Sequence, residues 1–152
     1  MTRKWLTPEE DEAWIALMGL VGYLPAVLEA QLKSDWGIGR FEYGVLAAVA
    51  RADGHTISML ELSELTFGSI SRISHATSRM LDRGLIEKRR EGGSRMISLT
   101  DAGWTLLRES TPGHLDMARR YVFDALPDGG VAELTRVLTP ILERLTREAP
   151  HP

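Results

Sequence analysis

Short polar and basic side chains recur at helical spacing between residues 69 and 82. Hydroxyl, guanidinium and imidazole groups can hydrogen-bond to base edges and to phosphate oxygens. Residues three, four and seven positions apart share one side of a helix. The polar residues that fall on one side in this way are Ser71, Arg72, His75, Ser78, Arg79 and Asp82. The spacing favours a recognition helix; the alternative is the solvated face of an ordinary surface helix.

The residues around this face predict two helices joined by a short turn. Residues 58–61 form a capping box that opens a first helix ending near Thr66, and Phe67-Gly68 is a tight connection. Ser69 is a suitable N-cap for the second helix. The positions of that helix predicted to face the core are Ile70, Ile73, Thr77, Met80 and Leu81. Together these signals predict a helix-turn-helix.

A basic β-hairpin is predicted directly after the second helix. Gly84 ends the helix, strands follow at 85–90 and 95–99, and residues 91–94 form the turn. Two helices followed by a basic hairpin are the element order of a winged helix-turn-helix. The winged architecture is therefore the predicted framework for the polar helix face.

Each group of polar residues has a distinct expected role. Near the N-terminus of the recognition helix, Ser71, Arg72 and His75 are expected to read bases, while Arg79 meets phosphate. Arg95 is expected to reach the minor groove, and Arg90, across the turn, is the substitute candidate for that contact. The remaining candidate DNA-binding residues are Ser69, Ser74, Lys88 and Arg89. For the basic strand, the alternative is a role in solubility only.

Charge is distributed unevenly along a chain whose net charge is −3. Residues 69–95 contain seven Lys and Arg against three Asp and Glu, a local net charge of +4. Residues 1–54 carry five basic against eight acidic side chains, and residues 101–152 carry six against eight. A basic centre between acidic flanks is consistent with a DNA-reading unit on a scaffold that does not contact DNA.

The residues that would mark an enzyme or a metal site are scattered. The chain has no cysteine, which excludes disulfide bonds and thiolate metal sites. The histidines are His55, His75, His114 and His151. They form no HExxH pair, and the chain has neither a Gly-rich phosphate loop nor a Gly-X-Ser-X-Gly elbow. We therefore expect no enzymatic activity, no cofactor and no metal.

Long amphipathic patterns flank the winged segment and predict dimerisation. A capping box at residues 7–10 opens a first helix in which Pro25 predicts a kink, and Thr100 caps a later helix kinked at Pro112. The apolar positions of that later helix include Trp104, Leu107, Leu115, Ala118, Val122 and Leu126, and those of the last helix are Val131, Leu134, Val137, Leu138, Ile141, Leu142 and Leu145. These stripes exceed what a small winged domain can cover, which favours a symmetric dimer.

Length and terminal composition indicate the compartment. At 152 residues the chain can form one substantial core. We expect no apolar run that approaches the ~20 residues of a membrane span, and the acidic run at residues 9–12 stands where a signal peptide would be apolar. A cytoplasmic protein without membrane contact is expected.

Residues 65–86, LTFGSISRISHATSRMLDRGLI, together with the basic hairpin and the Leu-Thr-Asp-Ala-Gly at 99–103, resemble the signature of the multiple antibiotic resistance regulator (MarR) family. The likeness covers nearly the whole chain and is strongest to an actinobacterial branch with a Ser-Arg-X-Ser-His recognition helix. It implies a mainly α fold with a small β-hairpin: a dimerisation helix at 1–36, a winged helix-turn-helix at 37–100 and dimerisation helices at 101–152. It also implies a homodimeric transcriptional regulator, usually a repressor, on a double-stranded DNA operator.

The resemblance has one departure and one further implication. Family wings usually carry Asp-X-Arg, whose acid orients the arginine, whereas this wing has Gly93-Ser94-Arg95. Many members bind a small lipophilic or phenolic effector between the dimerisation helices and the winged domain. For such a ligand the candidate lining residues are Trp14, Met18 and Trp36, and the alternative is that they are core. The alternative function is a winged-helix protein-interaction module without ligand response.

Overall fold

The computed structural model describes residues 5–66 and 68–148. Within these ranges it contains six α-helices and one small antiparallel sheet. In chain order the elements are α1 (Pro8–Trp36), α2 (Arg40–Arg51), β1 (Thr56–Ser58), α3 (Met59–Thr66), α4 (Ile70–Asp82), β2 (Ile86–Glu91), β3 (Ser94–Leu99), α5 (Asp101–Tyr121) and α6 (Gly130–Glu148). The predicted Phe67 part of the turn between α3 and α4 and the predicted His151 lie outside the described residues.

Helix starts follow the predicted capping residues. At α1, Thr7 Oγ1 accepts the Glu10 N–H (3.2 Å) and Glu10 Oε2 accepts the Thr7 N–H (2.7 Å). Ser58 and Glu61 form the same reciprocal pair at α3. The N-caps of α4 and α5 are Ser69 and Thr100. Because each cap satisfies backbone donors within three residues, local sequence is sufficient to place these helix starts.

The hairpin belongs to a three-stranded sheet with the order β1-β3-β2. Its turn is formed by Gly92 and Gly93, whose φ angles of 54° and 82° suit glycine. The turn is shorter than predicted, and both strands extend further toward it. Strand β1, in which Ile57 pairs with Ile97, adds an edge that the sequence pattern does not reveal.

The core lies between α2, α3, α4 and the sheet. From α4, Ile73, Thr77 and Met80 are fully buried, and the Thr77 hydroxyl donates to the Ile73 carbonyl oxygen (2.8 Å). The prediction that Ile70 and Leu81 also face the core is wrong, since their side chains are 50% and 42% exposed. They lie at the margins of the buried stripe, where helical periodicity alone does not separate buried from exposed positions. The observed architecture is a winged helix-turn-helix, as predicted.

Helix α5 is shorter than its apolar pattern predicts. It ends at Tyr121, and Val122 leaves helical geometry with φ −122° and ψ −66°. A short 3₁₀ turn, Phe123–Ala125, follows. Val122 and Leu126 therefore lie outside the helix to which the apolar spacing assigned them.

Helix α1 is more apolar than expected. Among the described residues it is long and apolar enough to cross a membrane, with a mean hydropathy of 1.6 over its most apolar 18-residue window. The expectation that no apolar run approaches span length is therefore wrong. No residue of that window is buried within the single chain, and α6 likewise has no buried residue. The two helices thus present apolar side chains at the surface.

Candidate nucleic-acid interface

The outward side of α4 carries the residues predicted to read bases. Ser71, Arg72 and His75 are all exposed, as is Ser74. Ser69 has a structural role, because its Oγ accepts the Arg72 N–H (3.3 Å) and caps the helix. Four exposed donors thus lie within the first two turns of α4, while Ser69 determines where the helix begins.

Arg72 lies over an aromatic ring from the neighbouring helix. Its guanidinium carbon is 5.1 Å from the centroid of the Phe41 ring, at the start of α2. A cation over a ring face is attracted by the ring quadrupole, by about 0.5–1 kcal/mol at exposed sites. The side chain of Arg72 is therefore restrained while it remains exposed.

Arg79 is paired with a buried carboxylate. Its Nε donates to Oε1 of Glu42 at 2.9 Å, although the two residues are 37 positions apart in sequence. The side chain of Glu42 is 9% exposed and that of Arg79 is 60% exposed. Because the bond uses Nε, both Nη groups remain available to an external acceptor such as a phosphate oxygen. Pairing with Glu42 is therefore compatible with the expected phosphate contact.

The connection between α1 and α2 is also tied to α4. The Arg83 guanidinium donates from Nη1 to the Gly37 carbonyl oxygen (2.9 Å), just after α1 ends. Glu29 of α1 accepts the backbone N–H of Arg40 (2.6 Å) at the start of α2. An open cavity of about 1060 Å³ between these elements is lined in part by Arg72, His75 and Arg79. Arg72, His75 and Arg79 therefore lie together on a concave surface that Lys33, Arg40 and Arg83 also line.

The hairpin separates its cations onto two faces. Side chains alternate along a strand, so the face that carries buried Ile86 and Ile97 continues outward with Lys88, Arg90 and Arg95. Arg90 and Arg95 lie directly opposite each other in the β2–β3 register. Three of the four predicted wing cations thus share one face.

Arg89 lies on the opposite face of the hairpin and has a different environment. It forms an ion pair with Glu91 at 3.2 Å, and both side chains are 63% exposed. Within the described residues no carboxylate forms an ion pair with Arg95, in keeping with the missing acid of the family wing pattern. Burial, and then the Arg95 charge, lower the pKa of Lys88, whereas Asp82 opposes this shift.

The predicted effector residues are not brought together. Trp14 and Met18 lie one turn apart on α1, 52% and 45% exposed, whereas Trp36 packs against the core at the far end of that helix. The rise per residue puts Trp14 and Trp36 roughly 33 Å apart. A single pocket lined by all three is therefore not formed in this chain.

A different cavity lies between α1 and the winged elements. It has a volume of about 590 Å³ and is lined by residues that include Leu28, Tyr43, His114 and Leu115. The Tyr43 and His114 ring centroids are 4.2 Å apart. Burial, and then the charge of Arg40, lower the pKa of His114, and its Nδ1 is buried without a hydrogen-bond partner. Sequence reasoning missed these lining residues because they come from four separate helices.

Residues suited to metal coordination are dispersed across the structure. In the ranges 5–66 and 68–148, no three His, Asp or Glu side chains are grouped so that they could hold a metal ion. His55 instead donates from Nδ1 to the Ala50 carbonyl oxygen (2.8 Å) and packs edge-on against Trp104. Its surroundings are therefore those of a structural residue.

Comparison with solved structures identifies the fold and the family. No family model and no curated protein sequence matches the chain. A MarR family transcriptional regulator from Streptomyces coelicolor, solved in complex with DNA, is 30% identical, with 93% of this chain and 91% of that chain covered and a TM-score of 0.89. AbsC, another MarR family regulator from Streptomyces coelicolor, is 28% identical, with 95% and 99% covered and a TM-score of 0.89.

A third structure extends the likeness to a protein with a bound small molecule. CouR from Rhodococcus jostii, bound to p-coumaroyl-CoA, is 21% identical and has a TM-score of 0.73, with 86% of this chain and 92% of that chain covered. At that identity the likeness concerns the fold alone. The 30% identity to the DNA-bound regulator, over nearly all of both chains, carries the assignment. The chain belongs to the MarR family of transcriptional regulators.

Proposed function

We propose that this protein is a cytoplasmic, homodimeric, sequence-specific repressor that binds an inverted-repeat operator in double-stranded DNA. The observation that carries the proposal is the outward side of α4, where Ser71, Arg72 and His75 are exposed next to a wing whose cations share one face. Base-contacting side chains near the N-terminus of a recognition helix are the usual arrangement in helix-turn-helix proteins. The DNA-bound relative supports the same mode of binding.

Dimerisation is supported by the apolar surfaces of the terminal helices. On α1, Trp14, Ile15 and Val21 are 52%, 64% and 54% exposed, and on α6 Ile141 and Leu145 are 43% and 56% exposed. Soluble monomers rarely expose such extended apolar surfaces. Packing these helices against a second copy would also account for the membrane-like composition of α1 without a membrane.

The test of sequence-specific binding is selection of bound DNA from a random duplex pool. We expect an inverted repeat with half-site centres roughly 34 Å apart, since two recognition helices then enter successive major grooves. Affinity for random duplex should also fall steeply between two salt concentrations. Recovery of no common sequence, with an affinity that does not respond to salt, would favour the protein-interaction module instead.

The test of the dimer is sedimentation of the purified protein at micromolar concentration. We expect twice the monomer mass of 16.9 kDa. The variant Ile141→Glu introduces a charge on the exposed apolar side of α6. It should shift the protein toward monomer while the winged core remains folded. A monomeric unaltered protein would contradict the proposal.

We propose further that a small lipophilic or phenolic effector weakens DNA binding. The cavity of about 590 Å³ next to Tyr43 and His114 supports this, since its lining combines apolar side chains such as Leu28 and Leu115 with polar ones. A ligand releases DNA only if it binds more tightly to the dimer geometry that does not fit the operator than to the geometry that does. Titration of phenolic compounds, followed by tryptophan fluorescence and operator affinity together, tests this, and His114→Ala should reduce any response.

A further inference from the structure

Two consecutive residues at the start of α2 contact two arginines of the recognition helix. Phe41 lies under the Arg72 guanidinium, and Glu42 accepts the hydrogen bond from Arg79 Nε. Arg72 and Arg79 are seven residues apart, which is two helical turns, so they project from the same side of α4. One short segment outside the recognition helix therefore fixes two of its arginines.

The position of the Glu42 carboxylate is determined from both sides. Oε2 accepts the backbone N–H of Gly39 at 2.9 Å, and Oε1 accepts from Arg79 at 2.9 Å. A carboxylate that is nearly fully buried needs such partners to offset its lost hydration. Because rotation of the side chain would break both contacts, the direction of the Arg79 side chain is set by the capping geometry of α2.

The Phe41 ring is likewise confined. A Cβ atom at Gly68, in the turn before α4, would lie 2.5 Å from the Cζ atom of Phe41, so only glycine leaves space for the ring there. The Arg72 guanidinium lies over the same ring, with its central carbon 5.1 Å from the ring centroid. The ring thus packs closely against the turn at Gly68, and its position restrains where Arg72 can point.

We propose that Phe41 and Glu42 are positioning residues that set Arg72 and Arg79 in their DNA-reading orientations before DNA binds. The inference rests on the proposed function. Restraining a long side chain before binding removes part of the conformational entropy that complex formation would otherwise cost. Phe41 acts on base choice through Arg72, and Glu42 acts on phosphate contact through Arg79.

The first experiment compares operator affinity in Glu42→Gln and Glu61→Gln. Glu61 is the matched control, because it caps α3 in the same way, through Ser58, and within the described residues no arginine bonds to it. Loss of a negative charge alone would strengthen DNA binding slightly in both variants. The proposal instead expects Glu42→Gln to weaken operator binding about three- to tenfold, and to have almost no further effect in an Arg79→Ala background.

The second experiment examines Phe41→Leu by selection from the random duplex pool. We expect relaxed preference at the base that Arg72 reads. A merely structural role would change the unfolding midpoint without changing the selected sequence. The Arg79 Nε–H signal in NMR spectra of the DNA-free protein supplies a measurement that needs no variant, since a held hydrogen bond slows its exchange.

The outcomes separate this inference from the function on which it rests. If the unaltered protein binds its operator, either of two results overturns the positioning role of Glu42. One is that Glu42→Gln behaves like Glu61→Gln, and the other is that the losses in Glu42→Gln and Arg79→Ala simply add. An unchanged selected sequence in Phe41→Leu overturns it for Arg72. If the unaltered protein binds no DNA, the proposed function itself fails.

Discussion

The recognition helix and the wing hold their cations in opposite ways. On α4, Arg72 and Arg79 each have a partner from α2, an aromatic ring and a buried carboxylate. On the wing, Arg90 and Arg95 face each other across the hairpin, and the charge of Arg95 contributes to the lowered pKa of Lys88. Attraction therefore orients the helix cations, whereas like charges lie side by side on the wing.

This difference indicates separate contributions to binding. Oriented donors favour one geometry of hydrogen bonds, which is what discrimination between bases requires. Like charges placed directly opposite each other destabilise a hairpin, and a nearby phosphate or narrow groove relieves that repulsion. We expect the helix to supply sequence specificity and the wing to supply salt-dependent affinity.

The wing is nevertheless fixed firmly at its base. The Thr100 hydroxyl donates to the Gly84 carbonyl oxygen (2.6 Å), and the Thr100 N–H donates to that of Leu85 (3.2 Å). A Cβ atom at buried Gly103 would lie 2.0 Å from the same Leu85 oxygen. The first turn of α5 thus packs directly onto backbone where the wing begins.

The largest expected effect is on stability, at the point where the first turn of α5 packs against the start of the wing. Gly103→Ala should lower the free energy of unfolding by about 3 kcal/mol, the upper part of the range for overpacking, because a backbone oxygen cannot move aside as a side chain can. Gly44→Ala is the matched control: it also lies within a helix, has open space at its Cβ position, and should stabilise by roughly 0.5–1 kcal/mol. Urea unfolding of both variants checks this, and equal effects would contradict the packing at Leu85.

Arg72→Ala should have the next largest effect and acts on specificity. We expect a loss of roughly 1–3 kcal/mol on the preferred operator and much less on random duplex, because a base contact is lost and general attraction to phosphate changes little. Fluorescence anisotropy titrations on both DNAs measure the difference. Equal losses on the two would show that Arg72 contacts phosphate and would remove the distinction between helix and wing.

Local sequence was sufficient for much of the framework. The caps at Thr7, Ser58, Ser69 and Thr100 each satisfy a backbone donor three residues away. Such signals do not depend on the rest of the fold. The order of helix, turn, helix and hairpin follows from them, together with the buried face of α4.

The rest of the site depends on contacts between distant residues. Glu42 and Arg79 are 37 positions apart, and neither has a local pattern that indicates the other. Strand β1 has only three residues, too few for an alternating pattern to be recognised. In the sequence, a pair such as Trp14 and Met18 is more typical of a core than of a pocket, while in the single chain both lie on an exposed helix face.

For Arg95→Ala we expect a smaller effect that depends on salt and on flanking sequence. The slope of log affinity against log salt should become less steep by about 1. The loss should be greatest on operators with A/T-rich flanks, whose narrow minor groove concentrates negative potential. In the free protein the same substitution should raise the pKa of Lys88, which NMR titration can follow. A variant with an unchanged flank preference and salt slope would exclude a minor-groove role for Arg95.

The smallest effects should come from Arg90 and Arg89, which test the two faces of the wing. Arg90→Ala removes a cation from the face that carries Arg95, but it also relieves repulsion between the two, so its loss of affinity should be less than that of Arg95→Ala. Arg89→Ala should cost less again, because Arg89 lies on the other face and its exposed pair with Glu91 already offsets its charge.

Both substitutions remove one positive charge from neighbouring strand positions, so each controls for net charge in the other. Operator titrations at low salt, where the differences are largest, should therefore rank the losses as Arg95, Arg90 and Arg89. A loss for Arg89→Ala that equals or exceeds the loss for Arg90→Ala would mean that the opposite face of the hairpin meets DNA.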